Sequence, residues 1–392
     1  MAHLHLKIIR LIASLVVSVV VCGNIYLQPP RSRSQTGHST QREAHGVQSN
    51  ASSLRDAYDY IVVGGGQSGL TVGNRLSESG TATVLVIEYG YLYHDDPWIV
   101  KPWQPFDPGN NLFHDPKLMY NFTSTPQTGL NDRQAEVSAS SSVGGGSTVN
   151  GMFLNRGAAE DYDAWEKLGN PGWGWKGILP YFKKSFTFTP PGQMMREEFN
   201  VTYDEDAAYG GKGPIQLSFP EWAWPEQKVQ MAGWGELGVN KTREGAGGDA
   251  VGMFWVPRAQ DPRNQTRSYA VSGHLDPALT RKNFELLPGY RVNQVMLSEH
   301  NRAEGVLIQA RGGNLKTVVK ARKEVVIAAG LHSPVILQRS GIGPRNVLEE
   351  ANIDVRVELP GVGMNLQDHP AGGLAYQCKD IQGHQWSIAN SS

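Results

Sequence analysis

The sequence has 392 residues, enough for two domains or for one large domain. Its 36 lysines and arginines nearly balance 37 aspartates and glutamates, so no excess charge points to a nucleic-acid partner or to acidic lipid. The 45 glycines and 23 prolines predict many turns, and the 40% of apolar residues can supply a globular core.

The first 23 residues have the layout of a secretory signal peptide. Lys7 and Arg10 precede an apolar run over residues 11–21, which small residues follow. The run is shorter than the about 20 apolar residues of a membrane span. An uncleaved signal anchor is the alternative, because the sequence has no Ala-x-Ala cleavage site; we expect no other membrane contact. Residues 24–55 offer little to bury and are predicted to be a flexible linker.

Six Asn-x-Ser/Thr sequons follow the signal segment and favour a secreted glycoprotein over an intracellular one. A protein anchored in the secretory pathway is the alternative. The two cysteines, Cys22 and Cys378, provide no disulfide framework, and no spacing typical of a metal site is present. The candidate N-glycan acceptors are Asn50, Asn121, Asn200, Asn240, Asn264 and Asn390.

A strand, a glycine turn, a helix and a second strand are predicted over residues 58–88. The glycines have the spacing G-x-G-x-x-G and directly follow the apolar run 60–63. In such a unit the first glycine permits a tight turn, the second lets the backbone approach a pyrophosphate, and the third lets helix and strand pack closely. The phosphates would bind free N–H groups at the helix N-terminus. The residues that we predict to contact them are Gly64, Gly66, Gln67, Ser68 and Gly69.

Glu88 ends the second strand, about 20 residues beyond the last glycine, where a carboxylate can accept hydrogen bonds from ribose hydroxyls. We interpret the unit as a dinucleotide site; an ordinary β–α turn is the alternative. The carboxylate disfavours NADP, whereas NAD and FAD both fit.

Beyond this unit, strands and helices alternate without forming a second simple βαβ half, which favours a flavin over a nicotinamide cofactor. Residues 90–137 are irregular, residues 190–212 are predicted to be a surface loop, and residues 254–267 an ordered loop. Helices are predicted at residues 159–168, 178–184 and 331–339. Strands are predicted at residues 213–219, 284–288, 292–298, 303–309 and 323–328.

Four blocks of the sequence resemble the glucose–methanol–choline (GMC) oxidoreductases, a family of FAD enzymes that oxidise alcohols. The first block is the β-α-β unit. The others are the glycine cluster from Gly144 through Asp161-Tyr162-Asp163, the segment His332-Ser333-Pro334 to Pro344, and residues 361–370. The resemblance is to members like fungal aryl-alcohol oxidase and choline dehydrogenase.

The resemblance implies an α/β fold with a Rossmann-like FAD-binding domain over residues 56–370. It also implies an incomplete α+β substrate domain, with insertions around residues 190–245 and a truncated sheet that starts within residues 371–392.

The resemblance also implies the flavin contacts. The second block would pass beside the flavin, Tyr89 would contact the cofactor next to Glu88, and the backbone of Val292 would contact adenine; an ordinary core valine is the alternative for Val292. Some members attach the flavin through a histidine near the position of Asn150, so asparagine implies non-covalent FAD. Tyr89 departs from the alanine usual in the family. The implied contacts in the second block are Gly144, Gly145, Ser147, Asn150, Gly151, Met152 and Phe153.

The family's catalytic histidine and its partner lie in a C-terminal portion that has no counterpart before Ser392. We therefore assign no catalytic residue. His332 is interpreted as a packed helix residue, and the pair Asp368-His369 as structural.

The implied reaction is the oxidation of a small primary or aromatic alcohol to an aldehyde. A histidine base takes the hydroxyl proton, a hydride passes to flavin N5, and oxygen or a quinone accepts the electrons. Two alternatives are a catalytically silent FAD-binding fragment and a GMC-like protein that catalyses a non-redox cyclisation. Four aromatic side chains could line a substrate pocket or simply pack in the core: Trp98, Trp103, Phe106 and Trp255.

Overall fold

The computed structural model describes residues 46–101 and 117–368. Within these ranges the strands are β1 (Ala57–Val63), β2 (Val84–Glu88), β3 (Met119–Thr123), β4 (Glu136–Ser140), β5 (Phe186–Phe188), β6 (Ile215–Leu217), β7 (Gln260–Asp261), β8 (Thr266–Arg267), β9 (Phe284–Pro288), β10 (Tyr290–Leu297), β11 (Ala303–Ala310), β12 (Lys316–Ile327), β13 (Ile342–Gly343) and β14 (Val357–Glu358). The helices are α1 (Gln67–Ser77), α2 (Pro97–Val100), α3 (Ala159–Lys167), α4 (Trp175–Lys184), α5 (Gln193–Glu197), α6 (Glu205–Ala208), α7 (Glu226–Glu236), α8 (Asp276–Leu279), α9 (Ser333–Arg339) and α10 (Arg345–Glu350). None of the described helices has the length and apolar character needed to cross a bilayer.

The largest sheet in the described ranges has six strands in the order β10-β11-β12-β1-β2-β9. Strands β12, β1, β2 and β9 are parallel, whereas β10, β11 and β12 form an antiparallel ribbon. All five residues of β2 are buried, as expected for an apolar strand that is covered on both faces. Parallel strands bring their carboxyl ends to one edge of a sheet, which is where ligands bind in open α/β sheets.

Alternate side chains of β1 and β2 face two hydrophobic cores. Val62 and Val86 belong to the core that includes Leu70 of α1. Ile61 and Leu85 belong to the other, which contains side chains of the antiparallel ribbon and of α9. The turn between β1 and α1 is thus held between two packed layers.

The predicted surface loop over residues 190–212 is wrong in part. It contains the short helices α5 and α6, and the side chains of Met195 and Ala208 are completely buried. Met195 packs in a small core with Phe199 and Phe219. The prolines, glycines and charges of this stretch are typical of a loop, and they obscured the few apolar residues that anchor it.

Part of the predicted flexible linker, residues 46–55, is ordered. Val47 forms a parallel β-bridge with Leu286, and the Gln48 N–H donates to the Leu286 carbonyl at 2.8 Å. The Asn50 side chain caps a 3-10 turn, and Arg55 pairs with Glu285 at 2.6 Å. Val47 supplies the apolar contact with the core that the polar composition of the stretch did not suggest.

Most other elements agree with the sequence prediction. The strand over residues 284–288 is present as β9. The strand at residues 323–328 is longer, since β12 also includes a polar first half that pairs with β11. The predicted helix at residues 331–339 begins as a 3-10 turn before α9. Several predictions lie outside the described residues: the signal peptide at residues 1–23, Trp103, Phe106, His369, the strand within residues 371–392, Cys378 and Asn390.

Candidate functional site

Two glycine loops meet at the carboxyl end of β1. The Gly144 N–H donates to the Gly65 carbonyl at 2.8 Å. Gly144 and Gly145 have φ values of +101° and +55°, and a Cβ on Gly145 would lie 2.8 Å from the Cα of Gly66. The contact therefore needs glycine for both its backbone conformation and its closeness.

The three glycines of the motif are explained in two different ways. Gly64 has φ +102°, and a Cβ there would lie 2.5 Å from the Ala328 carbonyl oxygen. A Cβ on Gly69 would overlap the Gly64 carbonyl oxygen. The fold itself thus requires both glycines. Gly66 differs: its φ is −79°, and the atom nearest to its Cβ position is the Cα of Gly145, 3.8 Å away.

Gly66 is also the N-cap residue of α1, and no side chain caps that helix. Gln67 and Ser68, the first two helical residues, are exposed. The first N–H groups of a helix carry partial positive charge and need an acceptor. Room for a side chain at Gly66 that is left unfilled, together with an uncapped helix N-terminus, suits a phosphate group.

Glu88 holds the neighbouring backbone in place. Its side chain is 8% exposed and accepts hydrogen bonds from the N–H groups of Gly65 and Gly90, each at 2.7 Å. Burial raises the pKa of the Glu88 carboxyl, and those N–H groups and the Arg311 charge oppose that shift. A carboxylate offers about four lone-pair sites, and the N–H groups of Gly65, Gly90 and Tyr89 engage three of them, so one remains for a further donor such as a ribose hydroxyl.

Tyr89 belongs to an aromatic cluster beside this carboxylate. Its ring stacks on that of Tyr120, with centroids 5.5 Å apart, and the Arg311 guanidinium lies 4.6 Å from its centre. His332 packs against Tyr120 and Phe122, and burial lowers its pKa. His332 is therefore a packed residue, as the sequence indicated.

The second glycine loop, residues 144–153, is fixed by its own side chains. The Ser147 hydroxyl donates to the Gly144 carbonyl at 2.6 Å and accepts from the Ala270 N–H at 3.2 Å. Asn150 Oδ1 accepts from the Met152 N–H at 3.1 Å. Met152 has φ +63°, a conformation that is costly without glycine and is seen often at functional sites. Gly151 and Phe153 flank it, and Phe153 is 60% exposed.

Arg267 anchors this loop and was not found by sequence reasoning. It is 2% exposed. Its Nη1 donates to the Asn150 carbonyl at 2.8 Å, to Asn150 Oδ1 at 2.7 Å and to the Ser147 carbonyl at 3.2 Å. Its Nε donates to the Ile99 carbonyl at 2.8 Å. Burial lowers its pKa to about 10, so it remains a cation at neutral pH. No local signal marks Arg267, because its sequence neighbours Thr266 and Ser268 are polar and its partners lie more than 100 residues away in the chain.

Val292 lies near the same edge of the sheet. A single residue, Gly289, separates β9 from β10, and its N–H donates to the Gly90 carbonyl at 3.0 Å. The start of β10 is therefore close to the end of β2. The Val292 side chain is buried in the core between the ribbon and β1. Its backbone contact with adenine stays a prediction.

Two of the four aromatic residues suggested for a substrate pocket, Trp98 and Trp255, lie within the described residues, and both pack against hydrophobic cores. Trp98 packs on the core beneath α1. Trp255 contacts Phe199 edge to face, with centroids 6.1 Å apart.

Comparison with known proteins agrees with this geometry. The chain is 38% identical over 360 residues to the dehydrogenase xptC of Emericella nidulans, covering 92% of this chain and 54% of that protein. It is similar to the structure of an FAD-dependent oxidoreductase from Chaetomium thermophilum, with 41% identity, a TM-score of 0.74, and coverage of 79% and 52% of the two chains. It is also similar to the structure of a fungal aryl-alcohol oxidase, with 40% identity, a TM-score of 0.74, and coverage of 80% of this chain and 52% of that chain.

The chain spans about half the length of these relatives. The GMC oxidoreductase family model matches residues 58–371. The sheet, mixed but mostly parallel around β1, is the α/β fold that the sequence predicted. The chain therefore belongs to the GMC oxidoreductase family and has its FAD-binding fold.

Proposed function

We propose that this chain binds FAD non-covalently and acts in the oxidation of a small alcohol. The observation that carries the proposal is Gly66. Packing requires no glycine there, since its Cβ position is 3.8 Å from the nearest atom, yet the residue borders an uncapped helix N-terminus. Packing does not explain glycine at this position, whereas a pyrophosphate that approaches the backbone does, because a side chain would occupy its place.

The residues present fit the parts of FAD. The N–H groups at the start of α1 and the glycine loop beside them would hold the pyrophosphate. The remaining lone pair of the Glu88 carboxylate would accept a hydrogen bond from a ribose hydroxyl, and residues 150–153 would line the flavin. Asn150 has no nucleophile for a covalent bond, and its oxygen is already engaged by Arg267 and Met152. This supports non-covalent binding.

Bound flavin would supply the acceptor for a hydride from the alcohol carbon and would then pass the electrons to oxygen or a quinone. The described residues contribute binding and orientation. We assign none of them as the base, because His332 is packed among rings and His274 bonds to Asn74 inside the protein.

An aromatic primary alcohol is the proposed substrate class. The proposal is supported by the names of two structural neighbours: the fungal aryl-alcohol oxidase, and a pyridoxine 4-oxidase with 27% identity and a TM-score of 0.66.

We also propose that the protein is secreted and N-glycosylated. The sequon asparagines in the described residues are all exposed, as an acceptor must be. They are Asn50, Asn121, Asn200, Asn240 and Asn264.

The test is to purify the full chain, load it with FAD, remove free flavin and add an aromatic alcohol without oxygen. Retained yellow flavin that the alcohol bleaches supports the proposal. Retained flavin without bleaching favours a silent FAD-binding protein or a non-redox cyclase. Failure to retain any flavin contradicts the proposal as a whole.

A further inference from the structure

Phe153 and Arg258 form a side-chain pair at the end of the second glycine loop. They are opposite each other in an antiparallel β-bridge, and the guanidinium carbon of Arg258 lies 5.7 Å from the centre of the Phe153 ring. The backbone on both sides is fixed, since the Leu154 N–H donates to Pro257 at 3.0 Å and the Ala259 N–H donates to Met152 at 2.8 Å. The pair is therefore held in a defined position.

Arg258 has no hydrogen-bond acceptor or carboxylate partner for its guanidinium within residues 46–101 and 117–368. It is half-buried, and burial alone lowers its pKa. The buried arginines nearby differ: Arg267 and Arg156 both donate to backbone carbonyls. Taking a cation partly out of water without a hydrogen-bonding or anionic partner costs free energy. An anion that binds Arg258 would recover that cost.

Phe153 supplies the second half of a recognition surface. Its ring is 60% exposed, although Phe153 ends the segment 150–153, which is proposed to line the flavin. An exposed aromatic face can stack on another ring. A guanidinium fork beside it matches the two oxygens of a carboxylate.

We infer that Phe153 and Arg258 select an aromatic alcohol that carries a carboxylate. The inference rests on the proposed function, because it places this substrate beside the flavin loop. Stacking on Phe153 orients the ring, and Arg258 binds the carboxylate. One unpaired cation suits a monoanion better than a phosphate, which carries more charge.

The test compares two ligands on the FAD-loaded full chain: 4-(hydroxymethyl)benzoate and its neutral methyl ester. Affinity is measured anaerobically by titration, from the change in the flavin spectrum. The acid should bind more tightly than the ester. Arg258→Gln should lower the affinity for the acid by about tenfold to a hundredfold and leave the affinity for the ester nearly unchanged.

Two further variants sharpen the test. Arg258→Lys keeps the charge without the fork and should restore part of the preference for the acid. Arg263→Gln is the matched control, because Arg263 lies in the β7–β8 hairpin that follows Arg258, is exposed and pairs with Asp261. It should change neither affinity.

The outcomes separate the two proposals. A chain that retains no FAD overturns both. A chain that retains FAD but binds acid and ester equally overturns only the role of Phe153 and Arg258. If Arg258→Gln lowers thermal stability without altering the preference for the acid, Arg258 stabilises the fold and does not bind the substrate, and the inference is wrong.

Discussion

Replacing Arg267 by methionine should loosen the second glycine loop. The substitution keeps an unbranched apolar stem and removes the guanidinium, which donates to three residues: Ile99, Ser147 and Asn150. The shortest of these hydrogen bonds are those to the Asn150 carbonyl at 2.8 Å, to Asn150 Oδ1 at 2.7 Å and to the Ile99 carbonyl at 2.8 Å.

The magnitude follows from these contacts. A buried hydrogen bond to a charged group contributes about 1.5 kcal/mol or more, and two lost without replacement amount to about 3 kcal/mol. The net loss corresponds to two bonds, because Nη2 of Arg267 is buried without a partner among the described residues and already offsets part of the stabilisation. Arg267→Lys keeps the charge and should lose roughly half as much.

The assay is urea unfolding of the FAD-free chain, followed by FAD titration at a temperature where the variant stays folded. We expect Arg267→Met to lower the free energy of unfolding by about 3 kcal/mol and to weaken FAD binding by at least about tenfold. The exposed Arg263→Met is the control and should behave as wild type. Unfolding within about 0.5 kcal/mol of wild type, with unchanged FAD affinity, would refute the role of Arg267 as the anchor of this loop.

Three further outcomes are expected. Gly69→Ala should abolish soluble expression or lower the thermal midpoint strongly, because its Cβ would overlap the Gly64 carbonyl oxygen; a normally folded variant would contradict the packing. Glu88→Ala should reduce FAD retention after dialysis, and unchanged occupancy would count against Glu88 as a ribose ligand. Burial lowers the pKa of His274 to about 4 from the ordinary 6.5, and its Nδ1 contacts Asn74 Nδ2 at 3.1 Å. The unfolded chain therefore binds more protons between those values, so stability should fall by up to about 3 kcal/mol as pH drops from 6.5 to 4. When urea unfolding is measured across that pH range, the free energy of unfolding should depend less on pH in His274→Gln than in wild type. An equal pH dependence would exclude His274 as the cause.

The sequence predicts the β1–α1–β2 unit well because its signals are local. An apolar run, three glycines and a terminal acid all fall within about thirty residues, where spacing alone decides the geometry. The same applies to β9, a short apolar run bounded by turns. The four blocks also indicate the family, since each is a short motif.

Contacts between distant segments could not be predicted. Nothing local shows that Gly144 donates to Gly65, or that Arg267 reaches Asn150, 117 residues away. Glu88 was predicted from its position to contact ribose, but not to hold Gly65 and Gly90. Likewise, Met195 is buried by tertiary packing that outweighs the loop-like composition around it.

The most direct measurement of the central claim is an FAD titration of Gly66→Ala beside Gly233→Ala. Gly66 has room for a methyl group at 3.8 Å, and Gly233 in α7 has no atom within 4 Å, so both variants should fold normally. We expect Gly66→Ala to weaken FAD binding by about tenfold or more, with a loss of stability of no more than about 1 kcal/mol from the changed N-cap, and Gly233→Ala to bind as wild type. Equal FAD affinity in Gly66→Ala and wild type would contradict the claim that the pyrophosphate takes the place of a side chain at Gly66.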